Sequence, residues 1–538
     1  MNNIIEDISD ILSDNNFSFD IDNNEFIFDE FNVKQSELVL FKTKVTDPNT
    51  PFYAEGFQML CCYSGTFANP TCIARCPDNS SEYRITNDLG YTTVYNYIAY
   101  KSNNSWILVG FSTCNKFQGF FRVYPDGTLE AVMDTENFKG YSSLENLVII
   151  EDTSLFAIKC KFAKYINNNL SIQIPNKTPT GWCSWYSYYA DVNEKLVIQN
   201  LNELKNFDSL DYLLIDDGYQ NHMGDWLDFS TSKFSLGLEE LVHKINNTGK
   251  KAAIWIAPFI CSTESSIFKN HQDWLVKDKN GNPLCSSSVT YEGWREAPWY
   301  MLDFSNPEVC EYIYNVVTFF YKKLNITYFK LDALYWGAIK GSYFKYNQTR
   351  IQNYRKCLEI FRKATDNKAY ILGCNAPMWP SIGLVHGMRC ADDVERNKQR
   401  YTLNFHVLLH RLWMSRMLWH VDPDCICIKD ITNQSCSPEI YNYHFSGMQL
   451  FTDIIMLGDP LSSYSEEDKL KIEKLILSAK TINIEEQSDD LKQVVFTTND
   501  QKFRITFDLV NHSCDVVKKK KKGLFVHSCG VKLRAMHL

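Results

Sequence analysis

Apolar and polar residues alternate in three different ways along this chain. From residue 1 to about 175, short alternating runs such as Glu37–Phe41 and Thr92–Ile98 are separated by Asn, Asp, Gly and Ser. Alternation with a period of two between turn-forming residues predicts β-strands. Ser105–Phe111 and Phe120–Tyr124 follow one another closely and are predicted to pair. We therefore expect residues 1–175 to form an N-terminal β-sandwich.

The pattern changes at Ile174–Thr180, a linker with two prolines, and residues 176–480 follow a different period. Apolar runs of strand length alternate with helical patterns, for example at Glu308–Lys323 and Gln348–Ala364. Eight such strand–helix units predict an α/β fold, a (β/α)8 TIM barrel. An open, doubly wound sheet is the alternative, but it usually has a glycine-rich turn after its first strand, unlike this chain. The eight predicted strands are Gly181–Trp185, Tyr212–Ile215, Ala252–Ala257, Ile326–Leu331, Ala369–Gly373, Gly387–Cys390, Leu418–Val421 and Asp453–Leu457.

The last stretch, residues 481–538, returns to alternation with a period of two. Gln493–Thr498 and Phe503–Phe507 are its clearest strand patterns. The stretch is short for an independent domain. We therefore expect a small C-terminal β-domain that packs against the barrel.

Composition and charge limit the classes of partner. The 538 residues are 45% hydrophobic and 22% charged, which fits a globular chain of two or three domains. The net charge of −9 argues against nucleic acid or an anionic membrane as partner, and no apolar run reaches the length of a membrane span. The 18 cysteines are scattered, and the acidic segment Met1–Asp7 lacks the features of an export signal. We therefore expect reduced thiols and a cytoplasmic location, whereas the oligomeric state is not predicted.

Polar and aromatic residues follow the predicted strands. In a barrel enzyme the carboxyl ends of the strands form the working face. Lys330 and Asp332 lie two apart on one strand, so both should point into the barrel. Asp422 and Asp424 flank a proline, which favours turn or capping roles, and Asp459 also precedes a proline and is expected to be structural. The residues expected at this face are Trp185, Asp216, Asp217, Trp255, Lys330, Asp332, Cys374, Asn375, Arg389, Asp392, Asp393, Asp422, Asp424 and Asp459.

This set of side chains favours one type of chemistry. It contains several carboxylates, two cations and two indoles, but no histidine cluster for a metal and no glycine-rich loop for a phosphate. Hydrolysis of a glycosidic bond needs two carboxyl groups at the anomeric carbon. The alternative is that single carboxylates only cap helices, and that Lys330 and Asp332 form a structural pair. We expect glycoside hydrolysis with neither a metal nor a cofactor.

Six short motifs carry a resemblance to a known family. From about Gly181 to Leu461 the chain resembles the α-galactosidases of glycoside hydrolase family 36, and the motifs occur in the order of that family. The resemblance implies a barrel between an N-terminal β-sandwich and a C-terminal β-domain. The matching motifs are Gly181–Tyr186, Ile215–Gln220, Phe329–Asp332, Gly373–Pro377, Gly387–Val394 and Asp422–Cys425.

The resemblance also implies a role for each matching residue. Asp332 is the implied nucleophile, and Asp393 in the Arg-x-x-x-Asp motif is the implied acid/base. A bulkier N-acetyl group near Cys374 would need a differently shaped loop, so the resemblance favours galactose over N-acetylgalactosamine. The residues implied to bind the sugar are Lys330 at the ring hydroxyls, Arg389 near the 2- and 3-hydroxyls, Asp216 and Asp217 at the 4- and 6-hydroxyls, Cys374 near the 2-hydroxyl, and Trp185 and Trp255 along the pocket.

The chain departs from the family pattern in two places that affect these roles. The family more often has a small residue, Gly and Pro before the acid/base, but this chain has Cys390-Ala-Asp392, so Asp392 competes with Asp393 as proton donor. The family often brings a Trp from its N-terminal domain over the barrel. The comparable stretch here is Glu55–Gln58, so Phe57 is expected to replace that ring.

The resemblance implies a retaining mechanism on α-galactoside oligosaccharides such as melibiose or raffinose. Asp332 and Asp393 should then lie ~5–5.5 Å apart. Lys330 should keep Asp332 ionised, and Asp393 should have a raised pKa. Two alternatives remain: a galactosyl transferase of the raffinose-oligosaccharide type, and an inactive galactose-binding barrel.

Overall fold

Three β-containing parts follow one another along the chain. The computed structural model describes residues 17–20, 24–29, 31–77, 80, 90–519 and 525–526. Within these ranges the order is an antiparallel N-terminal sandwich, a parallel barrel and an antiparallel C-terminal sheet. The fold class predicted from the sequence is confirmed.

The N-terminal sandwich consists of one eleven-stranded antiparallel sheet and the separate pair β3 and β12. Phe26, Val109 and Phe121 are fully buried in its own hydrophobic core. The predicted pairing of Ser105–Phe111 with Phe120–Tyr124 is wrong, because β9 and β10 each pair with β8, which lies between them. Alternation identifies a strand but not its partner. The strands are β1 Phe17–Asp20, β2 Glu25–Phe28, β3 Phe31–Val33, β4 Glu37–Lys44, β5 Phe52–Glu55, β6 Cys62–Gly65, β7 Pro70–Cys72, β8 Thr92–Ser102, β9 Ser105–Phe111, β10 Gln118–Val123, β11 Thr128–Asp134, β12 Gly140–Ser142 and β13 Leu147–Asp152.

A helix, α1 Leu155–Leu170, lies within the stretch predicted as β-structure. Ser154 caps it by accepting a hydrogen bond from the backbone N–H of Ala157 (3.2 Å). The ring of Phe162 packs so closely on β9 that a side chain at Gly110 would collide with it. The apolar residues of the helix recur with a period of 3.6, a signal that the prediction of β-structure overlooked. The buried ones are Leu155, Ile158, Phe162, Ala163 and Ile166.

Eight parallel strands form the barrel, and from β14 to β22 each barrel strand is hydrogen-bonded to the next one in chain order. The last, β23, pairs with the first, β14, and a bridge from Ile426 to Leu457 joins the chain beyond β22 to β23. The predicted strands lie at the observed positions, and Tyr212–Ile215 agrees at both ends. The barrel strands are β14 Thr180–Cys183, β15 Tyr212–Ile215, β16 Lys251–Ile256, β19 Tyr328–Leu331, β20 Tyr370–Gly373, β21 Gly387–Arg389, β22 His420–Asp422 and β23 Ile455–Leu457, and β17 Ile260–Ser262 pairs with β18 Trp299–Met301 in the long segment between β16 and β19.

Helices follow most barrel strands, but β20 and β21 are joined only by a short 3-10 turn, Trp379–Ser381. The sandwich lies on this side of the barrel, because the indole N–H of Trp379 donates to the carbonyl of Phe111 (2.6 Å) and the backbone N–H of Met378 to that of Phe57 (2.8 Å). Among the helices in the described ranges, none has the length and apolar content needed to cross a bilayer. The helices are α2 Trp185–Tyr188, α3 Glu194–Leu204, α4 Leu238–Asn247, α5 Ser266–Asn270, α6 Pro307–Thr318, α7 Arg350–Ala364, α8 Lys398–Arg411, α9 Pro438–Met448 and α10 Glu466–Ala479.

The C-terminal part is a five-stranded antiparallel sheet with its strands in chain order. The predicted strand Gln493–Thr498 agrees with β25 at both ends. The ring of Phe507 packs against the ring of Phe405 in α8 at 5.4 Å between centroids, so the sheet covers that side of the barrel. The strands are β24 Asn483–Gln487, β25 Gln493–Thr498, β26 Gln501–Asp508, β27 Ser513–Lys519 and β28 Phe525–Val526.

One buried guanidinium joins the sandwich to the barrel. Arg411 at the end of α8 and Glu55 in β5 are both fully buried and form an ion pair. The guanidinium also donates to the carbonyls of Met59 (2.6 Å), Cys61 (2.7 Å) and Cys390 (2.9 Å). Because each of its nitrogens donates within the protein, Arg411 fixes the chain around Met59 against the segment that follows β21.

Glu55→Gln should lower the free energy of unfolding by about 3–5 kcal/mol, because it leaves the buried charge of Arg411 without its counter-ion. Urea denaturation followed by tryptophan fluorescence measures the change. Glu239→Gln is the control, since Glu239 forms an exposed pair with Lys323 at 2.6 Å and should cost less than about 1 kcal/mol. Equal effects of the two substitutions would contradict the role given to Arg411.

A lysine on α1 has its ammonium group buried where the sandwich meets the barrel. Lys159 is 1% exposed, and its Nζ lies 5.0 Å from the ring centroid of Tyr53 and 5.7 Å from that of Tyr97. Within the described part of the chain, Nζ makes no hydrogen bond. Burial lowers the pKa of Lys159 to about 7, against the attraction of Glu55. The protonated form therefore destabilises the folded state.

Lys159→Met should stabilise the protein most below about pH 7, with a gain that shrinks as the pH rises towards 10.5. The unfolded chain binds a proton at Lys159 up to the ordinary value of 10.5, whereas the folded chain releases it above about 7. The free energy of unfolding of the wild type therefore rises relative to that of the variant between about pH 7 and pH 10.5. The free energies of unfolding of both proteins at about pH 6 and about pH 9 measure this difference in stability. A stability gain of Lys159→Met that is independent of pH would contradict the burial of a titrating ammonium group at Lys159.

Candidate active site

A cavity of about 390 Å³ opens at the carboxyl ends of the barrel strands. Its volume lies in the range of small-molecule sites. Three parts of the chain line it: the residues after the strands, the long segment between β16 and β19, and the sandwich, through the segment that Arg411 fixes and through Arg75. The lining residues are Gln58, Met59, Leu60, Arg75, Trp185, Asp216, Asp217, Trp255, Tyr291, Trp294, Lys330, Asp332, Tyr335, Trp336, Asn375, Asp392 and Asp393.

Lys330 and Asp216 form a buried ion pair that lines the cavity. They stand at the ends of β19 and β15, and Nζ of Lys330 lies 2.9 Å from Oδ2 of Asp216. Burial raises the pKa of Asp216, although Lys330 opposes that shift. Burial alone would lower the pKa of Lys330, but Asp216 raises it well above its ordinary value. The pair therefore presents one fixed cation and one fixed acceptor to a ligand.

Asp332 is held by neutral donors. The indole N–H of Trp255 donates to Oδ2 (3.0 Å), and the side-chain amide of Asn375 and the backbone N–H of Ala333 donate to Oδ1 (2.8 and 2.7 Å). Lys330, which was expected from the sequence to keep Asp332 ionised, donates its hydrogen bond to Asp216. Trp255 and Asn375 thus orient the group that would act as nucleophile.

The backbone after β19 and β20 adopts an unusual conformation at two of these positions. Ala333 has φ = 51° and Asn375 has φ = 46°. Residues other than glycine enter this left-handed region at a cost of roughly 1–3 kcal/mol. Both conformations direct donors at Asp332, namely the backbone N–H of Ala333 and the amide of Asn375. Strain of this kind clusters at functional sites.

Asp393 follows β21, and about half of its side chain is exposed (50%) where it lines the cavity. Nη2 of Arg389 donates to its Oδ1 (2.8 Å). Burial would raise the pKa of Asp393, but the charges of Arg389 and Lys330 lower it below its ordinary value. The raised pKa expected from the sequence is therefore wrong for this arrangement.

Asp392 also lines the cavity, but protein groups occupy both of its oxygens. Nε of Arg75 lies 2.6 Å from Oδ2, Arg400 forms a second ion pair with the same oxygen, and the backbone N–H of Asp393 donates to Oδ1 (2.8 Å). Burial and the neighbouring Asp393 raise the pKa of Asp392, against the two arginines. A proton donor must reach the ligand, so this geometry favours Asp393 over Asp392.

Arg389 is 1% exposed and contacts a second carboxylate, Asp424. The hydroxyl of Tyr186 and the backbone N–H of Val394 (2.7 Å) also donate to Asp424. The expected turn role holds for Asp422, whose side chain accepts from the backbone N–H of Asp424 (2.9 Å). For Asp424 the expected turn role describes only the backbone, which has φ = 77°. Its carboxylate forms an ion pair with Arg389 and does not cap a helix. Burial raises the pKa of Asp422 to about 6.

Asp459 has the structural role expected from the sequence. It is fully buried, and its Oδ1 lies 2.6 Å from Nη2 of Arg396. Its Oδ2 accepts from the backbone N–H of Ile428 (2.7 Å) and from the hydroxyl of Tyr464 (2.9 Å). All these partners belong to the barrel, and Asp459 is not among the lining residues of the cavity.

Asp217 is bound by residues that the sequence analysis did not identify. Nη2 of Arg295 lies 2.7 Å from its Oδ1, and the indole N–H of Trp294 donates to Oδ2 (3.1 Å). The amide of Gln220 donates to Oδ1 as well (2.9 Å). Arg295 and Trp294 belong to the segment between β16 and β19. This segment is long and contains the cluster Tyr291-Glu-Gly-Trp294-Arg295, two features that could have indicated a functional loop from the sequence.

The other predicted residues divide between the cavity wall and the core. Trp185 lines the cavity and packs on the ring of Tyr189 at 5.2 Å. Cys374 is buried beside Arg389, with 3.7 Å between Nη1 and Sγ, and burial raises its thiol pKa well above the ordinary value. Neither Cys374 nor Arg389 is among the described residues that line the cavity.

Phe57 does not take the place predicted for it. It is 3% exposed and packs on Tyr335 at 5.9 Å and under the guanidinium of Arg350 at 4.9 Å, inside the sandwich–barrel interface. The next residues, Gln58, Met59 and Leu60, line the cavity instead. In the part of the chain that the structure describes, no group of acidic, histidine or cysteine side chains could hold a metal ion.

Comparison with known families and relatives places this site in context. The profile of the Melibiase family matches residues 140–365, a range that includes Lys330 and Asp332 and ends before Asp393. The chain is 26% identical to α-galactosidase AgaA of Geobacillus stearothermophilus over 156 residues, which is 28% of this chain and 20% of that protein. It is 24% identical to the bifunctional α-galactosidase/sucrose kinase AgaSK of Mediterraneibacter gnavus over 156 residues, 28% of this chain and 15% of that protein. The aligned segment thus spans a fifth or less of these curated relatives.

Solved structures resemble this fold over most of its length. The α-galactosidase TtGalA of Thermus thermophilus, in complex with p-nitrophenyl α-D-galactopyranoside, matches with a TM-score of 0.70 at 23% identity, covering 91% of this chain and 97% of that one. A variant of AgaA in complex with raffinose matches with a TM-score of 0.63 at 14% identity, covering 92% of this chain and 71% of that one. At these identities the likeness establishes the shared fold.

Proposed function

We propose that this chain is a member of the melibiase family, whose model matches residues 140–365, and that it is a retaining α-galactosidase, a glycoside hydrolase that removes terminal α-linked galactose from oligosaccharides. The observation that carries the proposal is that Asp332 and Asp393, from the ends of β19 and β21, line one cavity. Their surroundings differ: three neutral donors hold Asp332, whereas Asp393 pairs with Arg389 and is half exposed. A fixed nucleophile and an accessible proton donor are what double displacement requires.

In the first step Asp332 attacks the anomeric carbon and the C–O bond to the leaving group breaks. Asp393 gives its proton to the departing oxygen, and a β-galactosyl ester of Asp332 forms. The donors of Trp255 and Asn375 keep the attacking carboxylate in one orientation. No cofactor takes part in this step.

In the second step Asp393 acts as a base. It takes a proton from water, the water oxygen attacks the anomeric carbon from the α face, and the ester bond to Asp332 breaks. Two inversions restore the α configuration. Asp332 is ionised again and Asp393 is protonated, so the site is ready for the next cycle.

The low pKa of Asp393 can be reconciled with its role as acid. Half of the side chain is exposed where it lines the cavity, so a sugar that covers it would remove water from the carboxylate. Loss of water disfavours the charged form and raises the pKa. We propose that substrate binding, together with the neighbouring acids, brings Asp393 into its protonated form.

The remaining polar groups would bind galactose. Asp216, Asp217 and Lys330 line the cavity, and we assign them to the 4- and 6-hydroxyls and neighbouring ring hydroxyls. Trp185 and Trp255 offer apolar ring surface to the sugar. Arg389 and Cys374 lie behind this wall, so we assign them to positioning and shape.

We also propose a cytoplasmic location and an α-galactoside oligosaccharide as the sole partner class, without nucleic acid or membrane. The location is supported by the cysteines in the described ranges, all of which are free thiols, as expected in a reducing compartment. The substrate class is supported by the mixture of carboxylates and rings along the cavity.

The decisive experiment removes the nucleophile and supplies another. Asp332→Gly should abolish hydrolysis of an aryl α-galactoside, and added azide should restore release of the aryl group with β-galactosyl azide as product, because azide attacks from the face that Asp332 occupied. Chromatography and NMR identify the anomer.

Asp393→Gly is the matched variant. It retains Asp332, so azide should attack the covalent intermediate from the opposite face and give α-galactosyl azide. Loss of the base should slow turnover without azide by about 10²–10⁴-fold. Full hydrolysis by Asp332→Gly, or the same anomer from both variants, would refute the assignment.

A further inference from the structure

We infer that Asp424, which is not among the described residues lining the cavity, is a positioning residue that fixes the proton donor and sets its ionisation through Arg389. The inference rests on the proposed function, since it concerns how Asp393 works as an acid. Asp424 is 4% exposed and follows β22, one strand beyond the strand that leads to Asp393.

Two sets of contacts connect Asp424 to Asp393. Its Oδ2 forms an ion pair with Arg389, and Nη2 of the same guanidinium donates to Oδ1 of Asp393 (2.8 Å). The same Oδ2 accepts the backbone N–H of Val394 (2.7 Å), the residue after Asp393. Both the side chain and the backbone of the proton donor are therefore anchored on this carboxylate.

The charges around Asp393 give Asp424 a second effect. The cations Arg389 and Lys330 favour ionised Asp393, and the hydroxyl of Tyr186 adds to that preference. The acids Asp392 and Asp424 oppose it. Arg75 and Arg400 pair with Asp392, which weakens its effect, so Asp424 is the main counter-charge to Arg389.

Removing the charge of Asp424 should therefore lower the fraction of Asp393 that is protonated and able to act as acid. Arg389 would lose its buried partner, its full charge would act on Asp393, and the repulsion between the two carboxylates would disappear. Each of these changes favours ionised Asp393. A unit charge within a few ångströms shifts such an equilibrium by about tenfold or more.

The test compares Asp424→Asn with wild type on two substrates, an α-galactoside oligosaccharide and a dinitrophenyl α-galactoside, whose leaving group needs no proton. We expect kcat/KM for the oligosaccharide to fall at least about tenfold more than for the aryl substrate, and the basic limb of its pH profile to move to lower pH. Tyr186→Phe keeps the ring but removes a hydroxyl that favours ionised Asp393, so its basic limb should move the other way, to higher pH.

Asp459→Asn is the matched control. It breaks a comparable buried pair with Arg396 that does not contact Arg389, so it should leave the substrate ratio and the pH profile unchanged. Equal losses on both substrates in Asp424→Asn with an unmoved basic limb would overturn the inference, and so would a basic limb that moves the same way in Tyr186→Phe as in Asp424→Asn. If wild type hydrolysed neither substrate, the proposed function itself would fail, which is a different result.

Discussion

Two cations buried at the carboxyl end of the barrel constrain the placement of the acidic groups that contact them. Lys330 is 6% exposed and Arg389 is 1% exposed, and burial of such charges is tolerated only when acidic partners accompany them. Lys330 takes Asp216, and Arg389 takes Asp393 and Asp424. Asp332 is thereby left to neutral donors. This division separates a carboxylate that can attack from one that can exchange a proton.

The barrel and its charged residues were predictable from the sequence because buried parallel strands form short apolar runs, and the residue after each run faces the same end. Tyr212–Ile215 followed by Asp216 is an example. The partners of these residues were not predictable. Asn375 and Asp424 lie within the matching motifs, but their contacts depend on left-handed backbone turns, φ = 46° and 77°, that the sequence pattern did not reveal.

Contributions from outside the barrel were harder still to foresee. Nothing periodic in the sequence indicates that Met59 approaches the cavity, since its position depends on the buried guanidinium of Arg411 far along the chain. The resemblance placed an aromatic ring there, and Phe57 occupies the core instead. Trp294 comes from a long segment without regular hydrophobic spacing. Long-range packing, which local periodicity does not encode, sets this wall of the site.

The central claim is that Asp332 forms the covalent bond to the sugar. The most direct measurement is mass spectrometry of peptides after inactivation with 5-fluoro-α-galactosyl fluoride, which forms the glycosyl ester quickly and loses it slowly. The account predicts a single fluorogalactosyl label on the peptide that contains Asp332, and protection by excess galactose. A label on Asp393 or Asp392, or turnover of the reagent with no labelled peptide, would contradict it.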